Sequence, residues 1–295
     1  MSMFRPLALC ALLAPVAFGL AGCDSASDSF DSSFDSAQAS VSGTVQVVES
    51  DITRQAENTT PTDNWVFFTR AGTPATAGAF RSGPATPPLG TGSFELITAT
   101  GAEKGFLFNF DHVGTPLSQI NEIGYSTYRT AGSAQQVAAL NMVIDFNGAT
   151  TVGFTTLVFE PVYNTAQGAV VSGQWQTWNA SGSGTWWSTR AINGQCAGAT
   201  DTCDKTWAEI QANNPDATVL GGFGVNQGSG NAGLTTAVDK LTIGNAANAV
   251  VYDFELSRMP ANRDACKNDG WMGLTDAEGN PFRNQGQCVA YVNRS

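Results

Sequence analysis

Hydrophobic and polar residues alternate with a period of two through most of this chain. Val41-Ser42-Gly43-Thr44-Val45-Gln46-Val47-Val48 alternates, and so do Phe106-Leu107-Phe108-Asn109-Phe110 and Leu140-Asn141-Met142-Val143-Ile144-Asp145-Phe146. Successive side chains of an extended strand point to opposite faces, so this pattern sets one face against a core. Further strands are expected over 64–70, 93–98, 122–128, 154–160, 170–178, 218–224, 236–243 and 249–255, with clusters of Gly, Pro, Asn and Asp between them. Many short strands at this spacing predict an all-β fold, a jelly-roll β-sandwich formed as one domain over 41–256. One helix is expected. Thr206-Trp207-Ala208-Glu209-Ile210-Gln211-Ala212-Asn213 runs into Asn214-Pro215, which ends it on a loop between strands.

The pattern changes at both ends. Arg5 precedes an apolar stretch at 7–20, and Leu20-Ala21-Gly22-Cys23 follows. A basic start, a short apolar core and small residues before the cut are the parts of an export signal. With a cysteine directly after them, the order resembles the bacterial lipobox. That resemblance implies a signal peptide over 1–22, acylation of Cys23, and export to the cell envelope with a lipid anchor in the membrane. Acyl chains hold a protein at a bilayer by about 0.8 kcal/mol per buried CH₂. Residues 23–40 repeat Asp-Ser at 24, 28, 31 and 35, interrupted by Phe30 and Phe34. They carry too little apolar surface to fold and are expected to form a disordered tether. Pro260 and Asn262-Arg263-Asp264 mark the start of a Gly- and Asn-rich appendix at 257–295. It is too small for a full core and needs a covalent staple.

Composition narrows the function. The formal charge is −11, and −12 beyond Cys23 because residues 1–23 carry only Arg5. No basic run occurs, so nucleic acid is not an expected partner. Cys10 lies in the signal and Cys23 is the lipid site. Cys196, Cys203, Cys266 and Cys288 remain, and an even set in an exported chain reads as disulfides. Of three possible pairings, proximity favours Cys196–Cys203 and Cys266–Cys288. There is no CxxC, and His112 is the only histidine, which argues against zinc.

Four tryptophans, Trp175, Trp178, Trp186 and Trp187, fall within thirteen residues. An indole can stack on the apolar face of a sugar. Strand alternation prevents both members of either pair, 175/178 or 186/187, from entering the core. One of each should face outward or line a groove, or be covered by a loop such as 190–215. These are the candidate ligand-binding residues. Glycoside hydrolysis would require two facing carboxyl groups. Glu95, Glu122, Asp145, Glu160, Asp253 and Glu255 all sit in expected strands without a closely spaced array, and Glu160 is the single candidate to watch. A Ser-His-Asp triad would have to use His112, and no G-x-S-x-G elbow occurs. The Gly221–Gly230 run lacks the lysine and helix setting of a phosphate loop.

Two resemblances follow. Cys266-Lys267-Asn268-Asp269-Gly270-Trp271 with Phe282-Arg283-Asn284-Gln285-Gly286-Gln287-Cys288-Val289-Ala290-Tyr291-Val292 resembles a C-terminal two-cysteine motif of exported bacterial proteins, CKNGGW…FKNQGxCVxYV, with Asp269 in place of a glycine. The body is similar to a group of uncharacterised exported bacterial proteins. Gly114–Leu117, Gly124–Arg129, Thr155–Pro161, Gly173–Trp178, Trp186-Trp187, Asn214–Ala217 and Gly221–Gly230 carry that likeness. Ala237–Gly244 and Tyr252–Glu255 are similar to the last strands of carbohydrate-binding and concanavalin-like jelly rolls. Such domains often hold a structural Ca²⁺, for which Asp63, Asp239 and Asp253 are candidates. The resemblance implies a non-catalytic glycan or surface-polymer binding module. The alternatives are a glycan-active hydrolase on the same sandwich and a purely structural envelope lipoprotein.

Overall fold

The computed structural model describes residues 43–148, 153–200 and 202–294. The expected signal peptide, Cys23 and the 23–40 tether lie outside the described residues. Strands run in chain order as β1 (Gly43–Val47), β2 (Ile52–Ala56), β3 (Trp65–Thr69), β4 (Gly78–Ser82), β5 (Gly92–Thr98), β6 (Lys104–Asn109), β7 (Glu122–Ala131), β8 (Ala139–Asp145), β9 (Phe154–Phe159), β10 (Trp175–Asn179), β11 (Thr185–Ser188), β12 (Lys205–Thr206), β13 (Thr218–Gly228), β14 (Leu234–Gly244) and β15 (Val250–Phe254). Two helices, α1 (Trp207–Asn213) and α2 (Gln285–Val292), complete the set.

The chain is an all-β sandwich. An eight-stranded sheet has the order β12-β11-β9-β8-β13-β6-β3-β2. A seven-stranded sheet runs β10-β7-β14, and β14 then changes partner along its length. Its first half pairs with β5, which pairs with β4. Its second half pairs with β15, which pairs with β1. Most pairs are antiparallel, and β1/β15 and β2/β3 are parallel.

The inner faces meet across aromatic rings. Trp65 meets Tyr252 at 4.9 Å between centroids, Phe67 meets Phe94 at 5.5 Å, and Tyr125 meets Phe159 at 6.3 Å. The period of two explains this, because Trp65, Phe67, Leu140, Met142, Ile144, Leu157 and Phe159 alternate along their strands and all enter one core. Each fully buried aliphatic or aromatic side chain contributes about 1.5–3 kcal/mol relative to exposure. Val66, Phe68, Phe108 and Phe110 form a second cluster on the outer face of the eight-stranded sheet.

Every expected strand is present with small shifts, except that 170–174 is irregular and only Trp175–Asn179 of that stretch pairs. The strands β2, β4, β11 and β12 are additional. They are short, and three of them, β2, β4 and β12, are outermost in their sheets, where polar residues such as Arg54 and Gln55 mask the alternation. Helix α1 forms as expected. Thr206 Oγ1 accepts from Glu209 N–H, and the Glu209 carboxylate accepts from Thr206 N–H at 2.9 Å. The expectation of a single helix is corrected by α2, whose N-cap is Asn284.

Both disulfides pair as proximity favours, Cys196–Cys203 and Cys266–Cys288. The second staples a small separate cluster of Cys266, Leu274, Phe282 and Cys288, with Trp271 and Tyr291 packed against it. No helix among the described residues is long and apolar enough to cross a membrane.

Candidate functional site

The four tryptophans divide by strand parity. Trp178 and Trp186 enter the core and are fully buried. Their indole N–H groups are satisfied internally, Trp178 donating to Thr127 Oγ1 at 2.8 Å and Trp186 to the Ala180 carbonyl at 2.7 Å. Trp186 also packs on Phe159 and Trp207. A ligand cannot reach either ring, so the assignment of Trp178 and Trp186 to ligand binding is corrected: both hold the core. Trp175 and Trp187 face outward and are half-buried, on opposite sheets.

Trp187 lies on the outer face of the eight-stranded sheet. Register places it beside Val158, which is beside Asn141, then Gly224, Phe108 and Val66, one row across six strands. A parallel row holds Ala139, Asn226, Phe106 and Phe68. Gly224 leaves the first row bare between Asn141 and Phe108. A Cβ there would stand 2.0 Å from the Leu107 carbonyl oxygen, so no side chain fits. Asn141 is 4 % exposed and its Oδ1 has no hydrogen-bond partner. An unfilled buried acceptor costs about 1–3 kcal/mol.

The Trp187 indole donates to Glu160 Oε2 at 3.0 Å, and this fixes the ring. Burial raises the Glu160 pKa above the usual carboxylate value. The Trp187 bond and the charge of Lys104 pull it back, while Asp204 pushes it further up. Lys104 stands over the Phe106 ring at 4.6 Å. The face thus combines half-buried aromatic rings with donors and acceptors, the mixture that a polyhydroxylated ligand requires.

The opposite face carries Trp175, which packs edge-on against Tyr128 at 5.6 Å and donates to the Pro84 carbonyl. Asp239 and Asp253 are brought close to each other and to Glu255. Asp239 accepts backbone bonds from Leu89 and Phe254, and Glu255 accepts from Thr91 and Gly92. Asp63 lies apart, exposed, and caps Asn64 N–H in its own turn. Among the described residues no group of three or more His, Cys, Asp or Glu is placed to hold a metal ion.

His112 belongs to a polar network that ties the two sheets. Its Nε2 shares a 2.9 Å hydrogen bond with the Tyr252 hydroxyl, which also reaches Asn109 and Asp111. Burial lowers the His112 pKa to about 4 against the opposing charge of Asp111. Among the described residues no serine is hydrogen-bonded to it.

No known protein family, curated protein or solved structure matches this chain. Sequence reasoning missed Asn141, Asn226, Lys104 and Phe106. Their alternation was visible, but which parity faces outward depends on the sheet's neighbours.

Proposed function

We propose that this protein is an exported, lipid-anchored component of the cell envelope whose β-sandwich binds a glycan or related surface polymer without catalysis. The observation that carries the reading is the row on the outer face of the eight-stranded sheet. There the oriented Trp187 ring shares a row with Asn141, one strand apart across Val158, and Asn141, beside the side-chain-free Gly224, has a buried acceptor with no internal donor. A sugar face stacks on the first, and a sugar hydroxyl supplies the last. Export is supported by the two disulfides, which form and persist in oxidising compartments, and by the lipobox-like N-terminus.

The test is a polysaccharide pull-down panel with the full chain. Binding should fall at least about tenfold in Trp187→Ala and Asn141→Ala, consistent with one stacking or hydrogen-bond contact each, and stay unchanged in Trp175→Ala. Retention by both site variants with an intact circular dichroism spectrum refutes this face as the site. The hydrolase reading rests on Glu160, whose raised pKa suits a proton donor. Reducing-sugar release that disappears in Glu160→Gln would select it instead. Cys23→Ser should release the protein from the membrane fraction; retention there would overturn the lipid anchor.

A further inference from the structure

The segment 83–91 between β4 and β5 carries no regular structure, yet it lies against the outer face of the seven-stranded sheet and covers part of it. Its tethers to that face are few and specific. Leu89 N–H donates to Asp239 Oδ2 at 2.9 Å, while Thr91 N–H and Gly92 N–H donate to Glu255 Oε1 at 2.7 and 3.2 Å. At its other end the Pro84 carbonyl accepts from the Trp175 indole, and the Gly83 carbonyl accepts from the Ser93 hydroxyl. Gly90, with φ +48°, lets the segment come down onto the carboxylates. A Cβ at that position would lie 1.6 Å from Glu255 Oε1. Under this strap Asp239, Glu255 and Asp253 are 0 %, 1 % and 4 % exposed, although all three point away from the sandwich core.

Asp253 differs from its two neighbours. It gives the strap no hydrogen bond, and its Oδ1 is buried without a partner. The Glu255 carboxyl stands beside it, since a Cβ on Gly90 would meet both Glu255 Oε1 and Asp253 Oδ1, at 1.6 and 3.2 Å. Two buried carboxyl groups this close, with no cation between them, hold a proton rather than both ionising. The surroundings offer no other neutralisation. Asp239 faces the pair from β14, β1 contributes Gln46, and the strap has no titratable side chain. Lys240 approaches only through its backbone N–H to Asp239. On β4 and β5, Arg81 is paired with Glu95. On β7 the outward residues beside Asp239 are Ser126 and Tyr128, and Glu122 lies at the far end of the strand, opposite Gly244.

We propose that a proton shared by Asp253 and Glu255 latches the 83–91 strap onto the sheet, and that its loss to solvent releases the strap. In the step the Asp253 O–H bond breaks and the proton passes to bulk water. Three adjacent anions are then left without a cation in a site closed to water, and lifting the strap hydrates them. Release also removes the Pro84 partner of Trp175, so the Trp175–Tyr128 ring pair is uncovered beside the carboxylates. Burial, with Glu255 and then Asp239, raises the Asp253 pKa to about 7, and burial raises that of Asp239 to about 6. The sign follows: closure is favoured below that range and weakens as pH rises through it.

Amide hydrogen exchange on the full chain, corrected for intrinsic rates, tests the latch. Protection at Leu89, Thr91 and Gly92 should fall at least about tenfold between about pH 5 and pH 8, with β14 amides unchanged. Asp253→Asn keeps an uncharged side chain at every pH and should hold protection at the acid level throughout. Flat protection in the wild type, or the same fall in Asp253→Asn, overturns the proposal. Carboxyl ¹³C titration of the wild-type protein is the second readout and needs no variant. A proton leaving near neutral pH supports the latch, and ordinary carboxylate titration of all three groups overturns it.

Discussion

Each indole nitrogen in the 175–187 region has a partner, and the identity of that partner separates structural rings from accessible ones. Trp178 and Trp186 donate to groups inside the sandwich, whereas Trp187 donates to a carboxylate on its outer face and Trp175 to a loop carbonyl. A ring in the first class supports the core by area and by a satisfied polar group. Its removal leaves both a cavity and an unpaired Thr127 hydroxyl. Trp178→Ala should therefore lower stability by about 3–5 kcal/mol, seen as a lower urea midpoint. A midpoint equal to that of the wild type would contradict this burial. The tryptophan cluster was plain in the sequence, and so was the rule that each pair must split. Which member went inward was not, because parity alone leaves the two choices equivalent until the facing sheet is known.

Among the elements, α1 shows local chemistry at its most readable. Thr206 and Glu209 form reciprocal bonds with each other's backbone, and Trp207 and Ile210 turn inward, with the Trp207 indole donating to the Ile120 carbonyl at 2.6 Å. Thr206→Ala removes one of those bonds and should cost about 1 kcal/mol, measurable as a shifted denaturation midpoint; no shift would mean that tertiary packing alone holds the helix start. The strands β5, β8, β9 and β14 were equally readable, since long alternation survives at the centre of a sheet. The short strands β4 and β12 were not. An outermost strand pairs on one side only, so its residues carry no strict alternation.

At the scale of the molecule, buried titratable groups bring opposite pH dependences to the sandwich. His112, whose ring hydrogen-bonds Tyr252 across the sheets, has its pKa lowered by burial to about 4. The unfolded chain then binds a proton more readily than the folded one, so stability is lost as pH falls from about 6.5 to about 4. The loss is on the order of 3 kcal/mol at most, from a displacement of that size. Melting temperatures of wild type and His112→Gln, compared across this window, should diverge as the wild type falls faster; parallel curves would show that His112 does not titrate in the folded protein. The Asp253–Glu255 site acts in the other direction and weakens its strap as pH rises.

The period-two pattern, the capping box, the cysteine spacing and the lipobox-like order at the N-terminus are properties of neighbours along the chain. They determined the all-β class and helix α1, and favoured both disulfide pairings and the expectation of export, because each depends on residues close in sequence. The outer-face row joins Trp187, Asn141 and Gly224, and the strap joins Leu89 to Asp239 and Thr91 to Glu255. Those groupings arise where β14 changes partner from β5 to β15 and where six strands bring one residue each into line. Only the pairing order of the folded sheets decides which distant residues become neighbours, and with them which carboxylates lose water and which ring stays within reach of a ligand.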